Sequence, residues 1–81
     1  MSLSLKILHA LPAESGPRLK AARIACGLTQ VDAAEATGLT QSYLSGLEAG
    51  RYPNSRLRTA HKLARLYRVP VDLLFPAEEE A

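Results

Sequence analysis

The stretch from Thr29 to Glu48 constrains the fold most strongly, because its residue order predicts two short helices joined by a tight corner. Thr29 can accept hydrogen bonds from backbone amides at a helix start, and Asp32 completes a weak capping box. Gly38 favours the left-handed backbone conformation that ends a helix. Thr40 provides a second N-cap directly afterwards. The sequence therefore predicts an anchored helix that presents the next one.

Small residues allow the corner between these two helices to be sharp. Ala33 and Ala34 let a neighbouring helix approach closely, and Leu39 is expected to fill the angle from inside. In the second helix, Leu44 and Leu47 share one face. Four other residues of this helix lie mostly off that face: Gln41, Ser42, Tyr43 and Ser45. A steep crossing of this kind is typical of a helix-turn-helix.

The ordered set of residues resembles the helix-turn-helix of the lambda repressor/Cro family, also called XRE-like. The resemblance is carried by Gln30, Ala34, Gly38, Leu44, Leu47 and the run Glu48-Ala-Gly50. It implies an all-α fold, a compact five-helix DNA-binding domain. We expect this domain to span residues 18–76, after an N-terminal arm and linker over 1–17 and before an acidic flexible tail over 77–81.

Length and composition limit what the motif can belong to. The chain has 81 residues, enough for one small domain, and 47% hydrophobic with 22% charged residues is a globular balance. The single cysteine, Cys26, excludes an internal disulfide and a multi-cysteine zinc site, and we expect a small buried thiol there. No membrane span or signal-peptide layout is seen, so a cytoplasmic protein is expected.

The charge of the chain is unevenly distributed. The formal net charge is +2, but without the acidic tail residues Glu78, Glu79 and Glu80 the chain keeps 10 Lys+Arg against 5 Asp+Glu, a net +5. A basic domain attracts polyanions by neutralising phosphates and releasing counterions. The charge alone is equally compatible with a solubilising surface, and the motif favours nucleic acid.

Residues Met1 to Pro17 lie outside the resemblance. Leu3, Leu5 and Ile7 alternate with polar residues at the period of a half-buried strand. A lone strand needs a partner, for which the same strand of a second subunit is the nearest candidate. A loose arm or frayed helical turn remains the alternative. Two prolines and a glycine mark the end of this segment as a linker.

Three further helices are predicted around the motif. The first runs from about Arg18 to Cys26, with Leu19 and Ala22 on its buried face. The fourth runs from about Arg56 to Tyr67, and its core residues are expected to be Leu57, Ala60, Leu63, Ala64 and Tyr67. A closing helix follows within residues 69–75. There Val71 and Leu74 are expected to face the core, and Leu73 and Phe75 to remain exposed as a dimer contact.

The resemblance also implies roles for single residues. Arg23 would pair with Glu48 and tie the first helix to the third, since a guanidinium can hold a carboxylate through two hydrogen bonds. Gln30 would reach a phosphate and help to lock Gln41, the first base reader. Further DNA-contacting positions at and along the third helix are Thr40, Ser42, Tyr43 and Gly46. The family commonly has a long polar side chain where Gly46 stands, so one base contact would be missing and DNA shape would weigh more.

The loop after the third helix and the start of the next helix flank the expected groove. Arg51, Tyr52 and Arg56 are therefore candidates for phosphate contacts, which position a protein without specifying a sequence. A charged, solvated face is the alternative for each of them.

The sequence thus predicts a sequence-specific regulator of transcription, a repressor, that binds double-stranded DNA as a homodimer on a palindromic operator. The alternative is an antitoxin or other protein-binding module that autoregulates its operon and uses residues 1–17 for a protein partner. An enzyme is disfavoured, because His9, His61 and Cys26 lie on separate predicted elements without nucleophile or metal-ligand spacing. We therefore expect no catalytic residues, no metal and no cofactor.

Overall fold

In a computed structural model, which describes residues 14–52 and 57–75, the chain forms five helices. They are α1 (Ser15–Ala25), α2 (Gln30–Thr37), α3 (Gln41–Glu48), α4 (Leu57–Tyr67) and α5 (Val71–Leu74). The all-helical fold and the five helices confirm the expectation from the sequence. The predictions for the first thirteen residues, for Arg56 and for the acidic tail lie outside the described residues. None of the described helices has the length and apolar character needed to cross a membrane.

Local hydrogen bonds define the corner between α2 and α3. The Thr29 hydroxyl accepts from the Asp32 backbone N–H, and the Asp32 carboxylate accepts from the Thr29 N–H, both at 3.0 Å. Both bonds lower the pKa of Asp32, because they favour its charged form, and the bond from the Thr29 backbone N–H has the larger effect. Gly38 ends α2 at φ 78°, and the Thr40 hydroxyl caps α3 by accepting from Tyr43 N–H. The predicted caps are confirmed.

Helix α1 begins at Ser15, three residues before its predicted start, so the end of the predicted linker is helical. Pro17 is tolerated there because the first turn of a helix does not need its N–H. Gly16 is buried, and a Cβ at this position would lie 2.6 Å from the Glu48 carbonyl oxygen. Helix α1 therefore passes directly against the carboxyl end of α3.

The core consists mainly of aliphatic side chains, with one tyrosine, and all five helices contribute to it. Ala33 and Ala34 are buried between α2 and its neighbours, as their small size predicts. The largest fully buried side chains come from the other four helices: Leu19, Leu44, Leu63, Tyr67 and Leu74. Burial, followed by the nearby charge of Glu48, raises the pKa of the Tyr67 hydroxyl. Tyr67 therefore connects the core to the carboxyl end of α3, where Glu48 lies.

Four predicted burial states are wrong. Leu57 is 70% exposed, because it stands at the first position of α4. Cys26 is exposed beyond the last turn of α1, where its thiol donates to the Tyr67 carbonyl at 3.7 Å. Leu73 and Phe75 are half-buried, since the short α5 folds back on α1 and Arg18 Nη1 donates to the Leu73 carbonyl at 2.7 Å.

The end of α4 has an unusual residue in the left-handed conformation. Arg68 has φ 60°, whereas glycine usually occupies this position after a helix. The Val69 N–H donates to the Ala64 carbonyl at 3.0 Å and closes the turn. A side chain with a Cβ is strained in this region of the Ramachandran plot.

Replacing Arg68 by glycine should therefore stabilise the fold. We expect Arg68→Gly to raise the free energy of unfolding by about 0.5–1 kcal/mol. Glycine relieves the backbone strain of the folded state, and this gain exceeds the loss that comes from the greater entropy of the unfolded chain. Arg65→Gly, inside the same helix, should lower it by about 1 kcal/mol. Urea denaturation of both variants tests this, and a lower stability for Arg68→Gly would contradict it.

Candidate nucleic-acid interface

Helix α3 has one half exposed and one half buried. Gln41 and Ser42, in its first turn, are exposed, whereas Leu44 and Leu47 are buried in the core. Thr40 lies before them as the N-cap and is also exposed. The Gln41 and Ser42 side chains therefore face away from the core, with amide and hydroxyl groups that can donate and accept hydrogen bonds.

A buried ion pair holds the other end of α3. Arg23 Nε donates to Glu48 Oε2 at 2.7 Å, and Arg23 Nη2 donates to Glu48 Oε1 at 3.0 Å. The two side chains are only 10% and 4% exposed. The hydrogen bond to Glu48 raises the pKa of Arg23. Arg23 Nη1 also donates to the Leu28 carbonyl at 2.9 Å, so the same side chain fixes the connection between α1 and α2.

Gln30 belongs to this buried group. Its side chain is half-buried at the start of α2, and Nε2 donates to Glu48 Oε1 at 3.1 Å. Glu48 thereby receives hydrogen bonds from both α1 and α2. In the free protein Gln30 thus helps to fix the carboxyl end of α3. Its contact with a phosphate and its effect on Gln41 at the DNA stay predictions.

The family resemblance gives Gly46 a groove-facing place on α3, but in the free protein this residue is not open to solvent. It is buried beneath the ring of Tyr52, and a Cβ at this position would collide with that ring. The centroids of the Tyr43 and Tyr52 rings are 5.0 Å apart and the ring planes are tilted by 39°. Tyr52 itself is 44% exposed. The two tyrosine rings and Gly46 form one surface, which we call the tyrosine shelf.

The loop after α3 turns back on the helix and places Arg51 directly before Tyr52. Gly50 has φ 81°, a conformation that glycine adopts without strain. The Arg51 N–H then donates to the Gly46 carbonyl at 2.9 Å, while the Arg51 side chain is exposed. A cation therefore lies next to the tyrosine shelf. Arg56, the other predicted arginine, is outside the described residues.

Three features of the site were missed at the sequence level. Gly16 allows α1 to approach α3, the Leu28 carbonyl accepts from Arg23, and Tyr52 covers Gly46. A glycine inside a helix costs about 1 kcal/mol relative to alanine, and this cost was the signal that something packs on Gly46. Among residues 14–52 and 57–75, no group of three or more His, Cys, Asp or Glu side chains is placed so that it could hold a metal ion.

The structure thus combines an exposed first turn of α3, a capped corner and a buried ion pair. This is the arrangement that the family resemblance implies. A family model described as a helix-turn-helix domain matches residues 15–75, which include all five helices. The chain belongs to the helix-turn-helix family of DNA-binding proteins. This helix-turn-helix protein is 33% identical over 63 residues to an uncharacterized HTH-type transcriptional regulator of Archaeoglobus fulgidus. The aligned residues cover 78% of this chain and 89% of the relative.

Removing the charge of Glu48 should destabilise the helix-turn-helix. Glu48→Gln leaves the Arg23 guanidinium buried without its carboxylate, and we expect the free energy of unfolding to fall by about 3 kcal/mol. Glu35→Gln is the matched control, because Glu35 is exposed on α2 and its replacement should change stability by less than about 0.5 kcal/mol. Urea denaturation compares the two, and equal effects would show that the ion pair does not hold α3.

Proposed function

We propose that this helix-turn-helix protein regulates transcription by binding a specific double-stranded DNA sequence. The observation that carries the proposal is the exposed first turn of α3, where Gln41 and Ser42 face solvent while the same helix is fixed through Glu48. In helix-turn-helix proteins, the second helix of the motif enters the major groove by its N-terminal residues. The family relative named as a transcriptional regulator agrees with this role.

Gln41 is the proposed reader of a base. Its side-chain amide both donates and accepts, which matches the N7 acceptor and N6 donor of adenine in the major groove. Ser42 stands beside it with a hydroxyl that can bond to several bases or to a phosphate. Thr40 caps α3 with its hydroxyl, so its contribution is to orient these two side chains and to lie close to the DNA backbone.

Arg51 is the proposed phosphate contact in the loop next to the tyrosine shelf. Its charge lies on the loop that folds back over α3, where it would meet the backbone flanking the groove. Arg56 is proposed to act in the same way. Gln30 uses one N–H of its amide for Glu48, so a phosphate contact falls to the second N–H of that group.

Base reading and backbone binding should be separable by mutation. We expect Gln41→Ala to lose preference for the operator while its affinity for random DNA is kept, because the amide contacts a base. Arg51→Ala should weaken binding to both DNAs and reduce the slope of log affinity against log salt by about one unit. Fluorescence anisotropy on operator and random duplexes at several salt concentrations measures both quantities.

Arg65→Ala is the matched control for Arg51→Ala. Arg65 is an exposed arginine that lines a cleft with Ala36, Thr37 and Leu66, at the opposite end of α2 from Gln30. We expect Arg65→Ala to leave the affinity for operator DNA nearly unchanged. The proposed roles would be contradicted if Gln41→Ala and Arg51→Ala lowered binding to both DNAs equally, or if Arg65→Ala weakened binding as much as Arg51→Ala.

We further propose that the protein acts as a homodimer on a palindromic operator and represses transcription. One α3 reads few base pairs, and two copies in successive major grooves would place their centres about 34 Å apart. A dimer bound across a promoter excludes other proteins from it, which favours repression. The N-terminal arm and the half-buried end of α5 around Phe75 are the two candidate dimer surfaces.

The proposed dimer has a direct test in solution. Sedimentation equilibrium should give two chains for each operator duplex, and inserting five base pairs between the half-sites should lower affinity strongly, because the two grooves then face opposite sides of the DNA. A duplex that keeps the half-site spacing but changes the base pairs between the half-sites is the control. One chain for each operator at saturating protein would contradict the homodimer.

A further inference from the structure

The outer surface of α3 changes between its first and second turns. Ser42 and Gly46 are four residues apart, so they lie one above the other on the same stripe of the helix. At Ser42 the helix exposes its own side chain. At Gly46 it has no side chain to offer, and the ring of Tyr52 from the following loop lies over the backbone instead.

The position of Tyr52 is held from two sides. Gly46 provides the space beneath the ring, since any side chain there would displace it. Tyr43, on the flank of the same helix, contacts the ring at a centroid distance of 5.0 Å with a 39° tilt, within the range of favourable aromatic pairs. The ring is thus fixed on the outer surface of α3 and remains 44% exposed. It occupies the place of a side chain at position 46.

We infer that the ring of Tyr52 reads a thymine methyl group in the second turn of the proposed interface. This inference rests on the proposed DNA binding and deepens it. An aromatic ring offers mainly apolar surface, and the thymine C5-methyl is the apolar group that base pairs present in the major groove. The contact missing from Gly46 is therefore supplied by the loop, and Tyr52 specifies sequence in addition to any phosphate that neighbouring residues bind.

Replacing thymine by deoxyuridine removes only the C5-methyl and tests the inference directly. On the operator selected by the wild-type protein from random DNA, each thymine is exchanged in turn. At one thymine of each half-site, wild-type affinity should fall about four-fold, as for one buried methyl group. Tyr52→Ala should bind the thymine and deoxyuridine duplexes equally at that position. Tyr52→Phe keeps the ring and should retain the four-fold ratio.

Two further variants separate the ring from general binding. Gly46→Ala should lose the thymine preference as Tyr52→Ala does, yet keep near wild-type thermal stability, because the obstructing atoms belong to a side chain that can move. Arg51→Ala should bind both duplexes more weakly with the four-fold ratio unchanged.

The inference is overturned if Tyr52→Ala shows the wild-type thymine preference at every position. It is also overturned if Tyr52→Phe loses the preference as fully as Tyr52→Ala, since the hydroxyl and not the ring would then make the contact. Both results leave the proposed DNA binding intact. Equal wild-type affinity for all sequences in the selection would instead remove the proposed function itself.

Discussion

The buried pair of Arg23 and Glu48 connects every element that orients α3. Arg23 bonds to Glu48 through two nitrogens and to the Leu28 carbonyl through the third, and Gln30 adds a bond from α2 to the same carboxylate. Such a pair is costly to desolvate, so its contribution to net stability is small compared with the cost of removing one partner. It fixes the register of three segments, and the outward direction of the first turn of α3 follows from that register.

Features set by neighbouring residues could be predicted from the sequence. Thr29, Gly38 and Thr40 act within a few residues of themselves, and their caps have the expected geometry. The buried positions of α4 from Ala60 to Tyr67 follow from helical periodicity. Leu57 satisfies the same periodicity but is the first residue of α4, and its side chain is exposed.

Features set by distant contacts could not be predicted. Gly16 was assigned to a linker because glycine and proline usually mark loops, whereas here the missing Cβ lets α1 approach the Glu48 carbonyl. Gly46 was given a groove-facing place by the family resemblance alone, and the ring that covers it belongs to the loop residue Tyr52. Arg68 was not recognised as a left-handed residue, since its type does not favour that conformation.

We propose that the exposed first turn of α3 and the loop at Arg51 and Tyr52 form the surface that meets DNA. Amide chemical shifts, followed by NMR while operator duplex is added to the uniformly labelled protein, test this surface most directly. We expect the largest changes at residues 40–43 and at Arg51 and Tyr52, with small changes around Lys62 and Arg65 on α4. If the largest changes occurred around Lys62 and Arg65 while α3 was unaffected, the proposed DNA-binding surface would be contradicted.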